Sequence, residues 1–183
     1  TAGGKDRVVG YASFAFESEG RGQTRPYSAA QGRILLDAAR QSIGAALKAA
    51  PMPVLPDEAW LRELRASFVT LKQEGRLRGC IGMLEAARPL GVDVLANARA
   101  AAFSDPRFKP LTQAELASLE IEVSVLSRPA RIAFEDHADL LRQLEPGKEG
   151  LIIESGSGAT ARRGTFLPQV WESLPDPEQF IAE

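Results

Sequence analysis

Apolar residues first fall into a helical rhythm: Leu36, Ala39, Ile43, Leu47 and Ala50 recur at spacings of three and four, which aligns them on one face and predicts an amphipathic helix. Ser28, with Gln31 three residues on, forms a capping box ahead of the stripe. Pro51, Pro53 and Pro56 end it, because proline has no N–H to continue the ladder. The period then shortens towards two. Residues 68–71 and 77–84 predict two strands joined at 72–76, where Gly75 supplies the positive φ of a hairpin turn. Pro89 opens a second helix with Leu90, Val94, Ala98 and Ala101 on one face, and the alanines between 96 and 102 allow close approach to a sheet. Thr112 and Glu115 make a second capping box over a short helix. Residues 119–126 then alternate Ile121, Val123 and Val125 with Glu120, Glu122 and Ser124, the pattern of a half-buried strand. Further on, 138–144 reads as a short helix and 151–153 as a strand, with a Gly-rich turn returning the chain through 165–167. Pro168 and Pro177 suit first helical turns, the second capped by Asp176.

Helices mixed with hairpin-linked strands predict an α+β fold with a mainly antiparallel sheet, flanking helices, and a larger and a smaller subdomain. Residues 7–16 (RVVGYASFAF) also read as a strand, but the polar stretch 17–24 (ESEGRGQT) follows. A strand placed ahead of a linker has no evident partner, so the expected division is 1–27, strand and linker, and 28–183, the main domain. A chain starting at Thr1 is expected to be a fragment or a processed product, or to begin with a tag remnant.

Composition narrows the class. With 183 residues, 44% of them hydrophobic, the chain can bury a core without staples. The single cysteine, Cys80, excludes an internal disulfide, so a reducing, cytoplasmic setting is expected. No apolar run approaches the roughly 18 residues of a membrane span, and no signal peptide is evident. Twenty-two basic against 24 acidic residues give a net charge of -2. That balance argues against nucleic-acid binding, which needs a concentrated basic face, and no membrane partner is expected.

Three stretches carry candidate chemistry. Gly156-x-Gly158-x-x-Ala161 imitates a dinucleotide fingerprint, but Thr165-Phe166-Leu167-Pro168 follows as a returning strand where a helix N-terminus would be needed to meet a pyrophosphate. A hairpin tip is the expectation. His137, the lone histidine, lies among Glu135, Asp136 and Asp139 at a helix start and reads as an exposed first-turn residue, so no metal site is expected. In Leu77-Arg78-Gly79-Cys80-Ile81-Gly82, two glycines flank a thiol, marking a bulge or the close approach of a ligand or a second backbone. Arg78 and Cys80 would share one face of an extended strand, where a cation favours the thiolate. The alternative is a small buried core cysteine beside packing glycines.

Residues 68–71 (FVTL), the Arg78-Gly-Cys-Ile-Gly run, Asn97 with Ala101 and Ala102, Asp105-Pro-Arg-Phe, 119–126 (LEIEVSVL) and Thr165-Phe-Leu-Pro-Gln-Val-Trp together resemble the AMMECR domain family from about Ser28 onward. The resemblance implies two subdomains with the Arg78-Gly-Cys-Ile-Gly signature near the cleft between them, and no established activity or cofactor. The family pattern continues past the final helix, so a domain truncated at its C-terminus is expected. Residues 7–16 resemble the C-terminal strand of the Memo family, implying a remnant of a preceding Memo-like domain. Memo-like and radical-SAM-type proteins are the partners implied.

Cys80 and Arg78 are the candidate catalytic residues, and Gly79, Gly82, Asn97, Arg107, Glu122 and Thr165 the candidate lining of a ligand cleft. Arg107 could orient an anion or simply pair with a carboxylate, and Glu122 and Ser124 could reach a cleft or solvent. Two functions remain open: a small-molecule-binding or enzymatic accessory acting through Cys80, and a non-catalytic module that docks on a partner.

Overall fold

The computed structural model describes residues 7–15, 27–127, 130–144, 149–155, 162–166, 171, 174–176 and 178–179. They form strands β1 (Arg7–Ala15), β2 (Ser67–Gln73), β3 (Arg76–Gly82), β4 (Leu119–Leu126), β5 (Ala130–Arg131), β6 (Glu149–Ser155) and β7 (Arg162–Phe166), and helices α1 (Ala29–Leu47), α2 (Leu90–Phe103) and α3 (His137–Gln143). The chain divides into two compact units. Phe14–Leu126 forms one, and Ser127 onward joins the start of β1 in the other. Every described strand pair is antiparallel, giving an α+β fold. Among the described residues no helix is long and apolar enough to cross a membrane.

In the first unit, α1 starts at the predicted capping box: Gln31 N–H donates to Ser28 Oγ at 3.2 Å and Ser28 N–H to Gln31 Oε1 at 2.8 Å. The reciprocal bonds satisfy donors that a helix start leaves unpaired. Leu35, Ala39 and Ile43 on α1 and Leu90, Val94 and Ala98 on α2 are fully buried. They pack against Val69 and Leu71 of β2 and Val123 and Val125 of β4 in one core. Each large aliphatic side chain there contributes about 1.5–3 kcal/mol by leaving water.

β2 is the central strand of this unit. It pairs with β3 through Val69↔Ile81 and Thr70↔Cys80, and with β4 through Val69↔Val123 and Thr70↔Glu122. The β2–β3 turn has Glu74 at φ 52 and Gly75 at φ 71, the two positive-φ centres of a tight hairpin. The alternation expected of β4 holds only at its start, because Val123, Ser124, Val125 and Leu126 are all buried and the strand is covered on both faces at its end.

In the second unit, Leu140 and Leu144 around α3, Leu151 of β6 and Trp171 form a separate core. Asp136 caps α3 by accepting from the Asp139 N–H at 2.8 Å. β6 and β7 form the expected hairpin, Ile152 opposite Thr165. The first strand differs from expectation: β1 pairs with β6, Val8↔Ile153 and Val9↔Ile152, and with β5. Its partners lie far downstream, where local pattern cannot reveal them.

Candidate functional site

β2 and β4 turn Val69, Leu71, Val123 and Val125 into the helix-packed core, so the residues between them face the other way. On that opposite face the register lines up Cys80 of β3, Thr70 of β2 and Glu122 of β4 as one row across three strands. Cys80 Sγ lies 3.2 Å from Thr70 Oγ1. The closeness follows from the ladder: the N–H and C=O of Cys80 point away from β2, so Thr70 and Cys80 form a non-hydrogen-bonded pair, the arrangement that brings opposed side chains nearest. Glu122 Oε2 pairs with Lys72 Nζ at 2.9 Å. Cys80, Thr70 and Glu122 are all partly exposed. Sequence reasoning singled out Cys80 and Glu122 but missed Thr70, which only the hairpin register brings to the thiol.

Arg78 does not join this row. The β2–β3 register slips between Leu71/Gly79 and Lys72/Leu77, leaving Arg78 as the extra residue of a β-bulge. A bulge breaks the two-residue alternation and re-aims a side chain, so the same-face relation expected for Arg78 and Cys80 fails here. The Arg78 guanidinium instead holds Glu115, Nε donating to Oε1 at 2.8 Å. That bond, with the Thr112 N–H on Oε2 at 2.8 Å, pushes the Glu115 carboxyl down to about 2. The capping box expected at Thr112 and Glu115 is only half formed: the Thr112 N–H and hydroxyl both donate to Glu115 Oε2 at 2.8 Å, but the short helix is a single 3-10 turn, Glu115–Ser118, whose N-cap is Ala114 with no side-chain cap.

Arg107 is bound to its neighbour Asp105, Nε to Oδ1 at 2.9 Å and Nη2 to Oδ2 at 2.7 Å. The pair grips one residue of β3: Cys80 N–H donates to Asp105 Oδ2 at 2.9 Å, and Arg107 Nη2 donates to the Cys80 carbonyl at 3.1 Å. The Arg107 hydrogen bonds, followed by the backbone N–H groups of Cys80 and Arg107, hold Asp105 far below the usual carboxylate range. The same contact with Asp105 raises Arg107.

Asn97 is buried in a separate network. Its Nδ2 donates to the Ser67 carbonyl at 2.9 Å and to Asp93 Oδ2 at 2.8 Å. Arg88 closes the network on Asp93 Oδ1 with Nε and Nη2 at 3.0 and 2.7 Å. A buried carboxylate needs such partners, so Ser67, Arg88, Asp93 and Asn97 fasten α2 to the start of β2. Sequence reasoning missed Arg88 and Asp93, whose joint signal was five-residue spacing at a helix start.

The two glycines are occupied by the protein itself. A Cβ on Gly79 would meet the Ala101 carbonyl of α2, and one on Gly82 the Phe68 ring and the Ser67 carbonyl. Thr165 lies on β7, in the other unit, and its side chain is outside the described residues, as is the 156–161 tip. A strand, not a helix, follows that tip. His137 is exposed at the first position of α3.

Comparison with known proteins bears on identity. The family model described as AMMECR1 matches residues 36–183. A protein of Saccharolobus solfataricus is 42% identical over 158 residues, covering 83% of this chain and 68% of that one. A protein of Methanothermobacter thermautotrophicus is 40% identical over 159 residues, covering 85% and 81%. The crystal structure of an uncharacterised protein from Pyrococcus horikoshii is similar with a TM-score of 0.71 at 34% identity, covering 82% of this chain and 76% of that one.

Proposed function

The chain belongs to the AMMECR1 family, and from that premise we propose that it is a small-molecule-binding or enzymatic accessory, its site the row of Cys80, Thr70 and Glu122, working beside Memo-like and radical-SAM-type proteins. The observation that carries this reading is the partly exposed thiol held 3.2 Å from the Thr70 hydroxyl. A hydroxyl at that distance can donate to the sulfur and fix its direction, and the carboxylate and ammonium of Glu122 and Lys72 stand along the same face to orient a polar ligand. Asp105 and Arg107 support the site by holding the Cys80 backbone N–H and carbonyl. The partners rest on the likeness of residues 7–16 to a Memo strand.

Iodoacetamide labelling at neutral pH tests this. Cys80 is expected to alkylate in the native state, and Thr70→Val to change that rate several-fold while leaving the rate of the urea-unfolded protein unchanged. A thiol that reacts only on unfolding would sink the reading.

The non-catalytic docking module is the second reading, favoured by exposed apolar side chains at the start of α2. Val54, Leu64 and Val92 are 95, 51 and 49% exposed. Leu55, next to Val54, lays its side chain against Gly91, next to Val92, and Leu64 bridges to Pro89 just ahead of α2. Loss of partner binding in Val92→Glu, with Cys80→Ala unaffected, would favour docking.

A further inference from the structure

We infer that Asp105 and Arg107 act together as a strand surrogate that closes the edge of β3 to a second copy of this chain. Among the described residues β3 is a terminal strand of its sheet, bonded to β2 on one side only. Along such an edge every second residue turns its N–H and C=O outward, and those groups template the addition of another strand. Cys80 is an outward-facing residue. Its N–H is taken by Asp105 Oδ2 at 2.9 Å and its C=O by Arg107 Nη2 at 3.1 Å. One acceptor and one donor, both on the same residue, are what an incoming antiparallel strand would supply.

The fold delivers this fork to the edge. Gly79 lets the Ala101 backbone of α2 lie directly on β3, so the chain leaving α2 reaches the edge within a few residues. There the fork is held stiffly. The Asp105 side chain is 1% exposed and binds Arg107 through Nε, Nη2 and the backbone N–H, and the guanidinium carbon lies 5.5 Å from the centre of the Phe108 ring. Leu77 and Met83 flank the guarded position at 44 and 38% exposure, apolar surface that strand addition would bury. The occupant excluded is a second copy because β3 can pair antiparallel with its own duplicate, edge to edge.

Sedimentation velocity over a concentration series decides it, with circular dichroism to confirm folding. Arg107→Ala removes the donor from an exposed position and is expected to give a concentration-dependent rise in sedimentation coefficient over wild type. Adding Leu77→Lys, a charge on the edge strand, is expected to abolish that rise. A folded Arg107→Ala that sediments as wild type overturns the inference, since a simple loop tether would lower stability without causing association. Association that survives Leu77→Lys overturns it too. Should Arg107→Ala fail to fold, Arg107→Lys, which keeps the charge but lacks the fork that reaches both Asp105 and the Cys80 carbonyl, is read by the same criteria.

Discussion

At Gly79 the absent side chain leaves room for another backbone: the Ala101 carbonyl occupies the space a Cβ would need. Neither backbone can yield without moving α2 over β3. Gly79→Ala is therefore expected to destabilise the protein by about 1–3 kcal/mol, the cost of forcing extra volume into a packed site. Urea unfolding measures it. Unchanged stability would mean that the space is open and available to a ligand. The sequence offered a bulge, or the close approach of a ligand or of a second backbone, for this glycine; the bulge falls beside it at Arg78, and the position of α2 puts the Ala101 backbone against it. Arg78 was harder still, because a single inserted residue on one strand leaves no mark on the apolar pattern yet changes where its side chain points.

The elements were largely legible, since each rests on a local signal. The Ser28–Gln31 box, the buried stripe of α2 and the Gly75 hairpin all stand where propensity and period put them. What escaped was pairing over distance: the fork on Cys80 and the bonding of β1 to β6 join segments that no window of sequence contains. The β2–β3 turn also holds a flaw that the sequence did not advertise. Glu74 adopts φ 52, a left-handed conformation in which its Cβ crowds the backbone, while Gly75 beside it bears φ 71 without strain. Asparagine tolerates that region better and is favoured at this position of a two-residue hairpin. Glu74→Asn is expected to raise stability by roughly 0.5–1 kcal/mol, read as a higher urea midpoint at constant m-value. No gain would show that the Glu74 side chain has compensating interactions.

Across the first unit, the segment between α2 and β4 is fastened to β3 by two carboxylates: Asp105 holds the Cys80 N–H, and Glu115 holds Arg78. Both clasps depend on ionised acids, so the stability of this unit is tied to pH. The Arg78 hydrogen bond lowers Glu115 from 4.5 to about 2, and Arg107 lowers Asp105 further. A carboxyl whose folded value lies below its unfolded one stabilises the native state fully above the unfolded value, and that stabilisation is lost as pH falls through the folded one. For Glu115 the window runs from about pH 4.5 down to about 2. Urea unfolding at intervals between pH 6 and 2 is expected to show stability falling steadily through that window. Glu115→Gln, unable to ionise, should be less stable at pH 6 but lose less on acidification, so that the two curves converge towards pH 2. Asp105, held far below the usual carboxylate range, keeps its hold on Cys80 in both proteins, which makes the difference between the curves a measure of what the Glu115 carboxylate gains from Arg78 and Thr112. Curves that stay parallel would show that Glu115 contributes no pH-dependent stability and that the segment is held to β3 by packing and by Asp105.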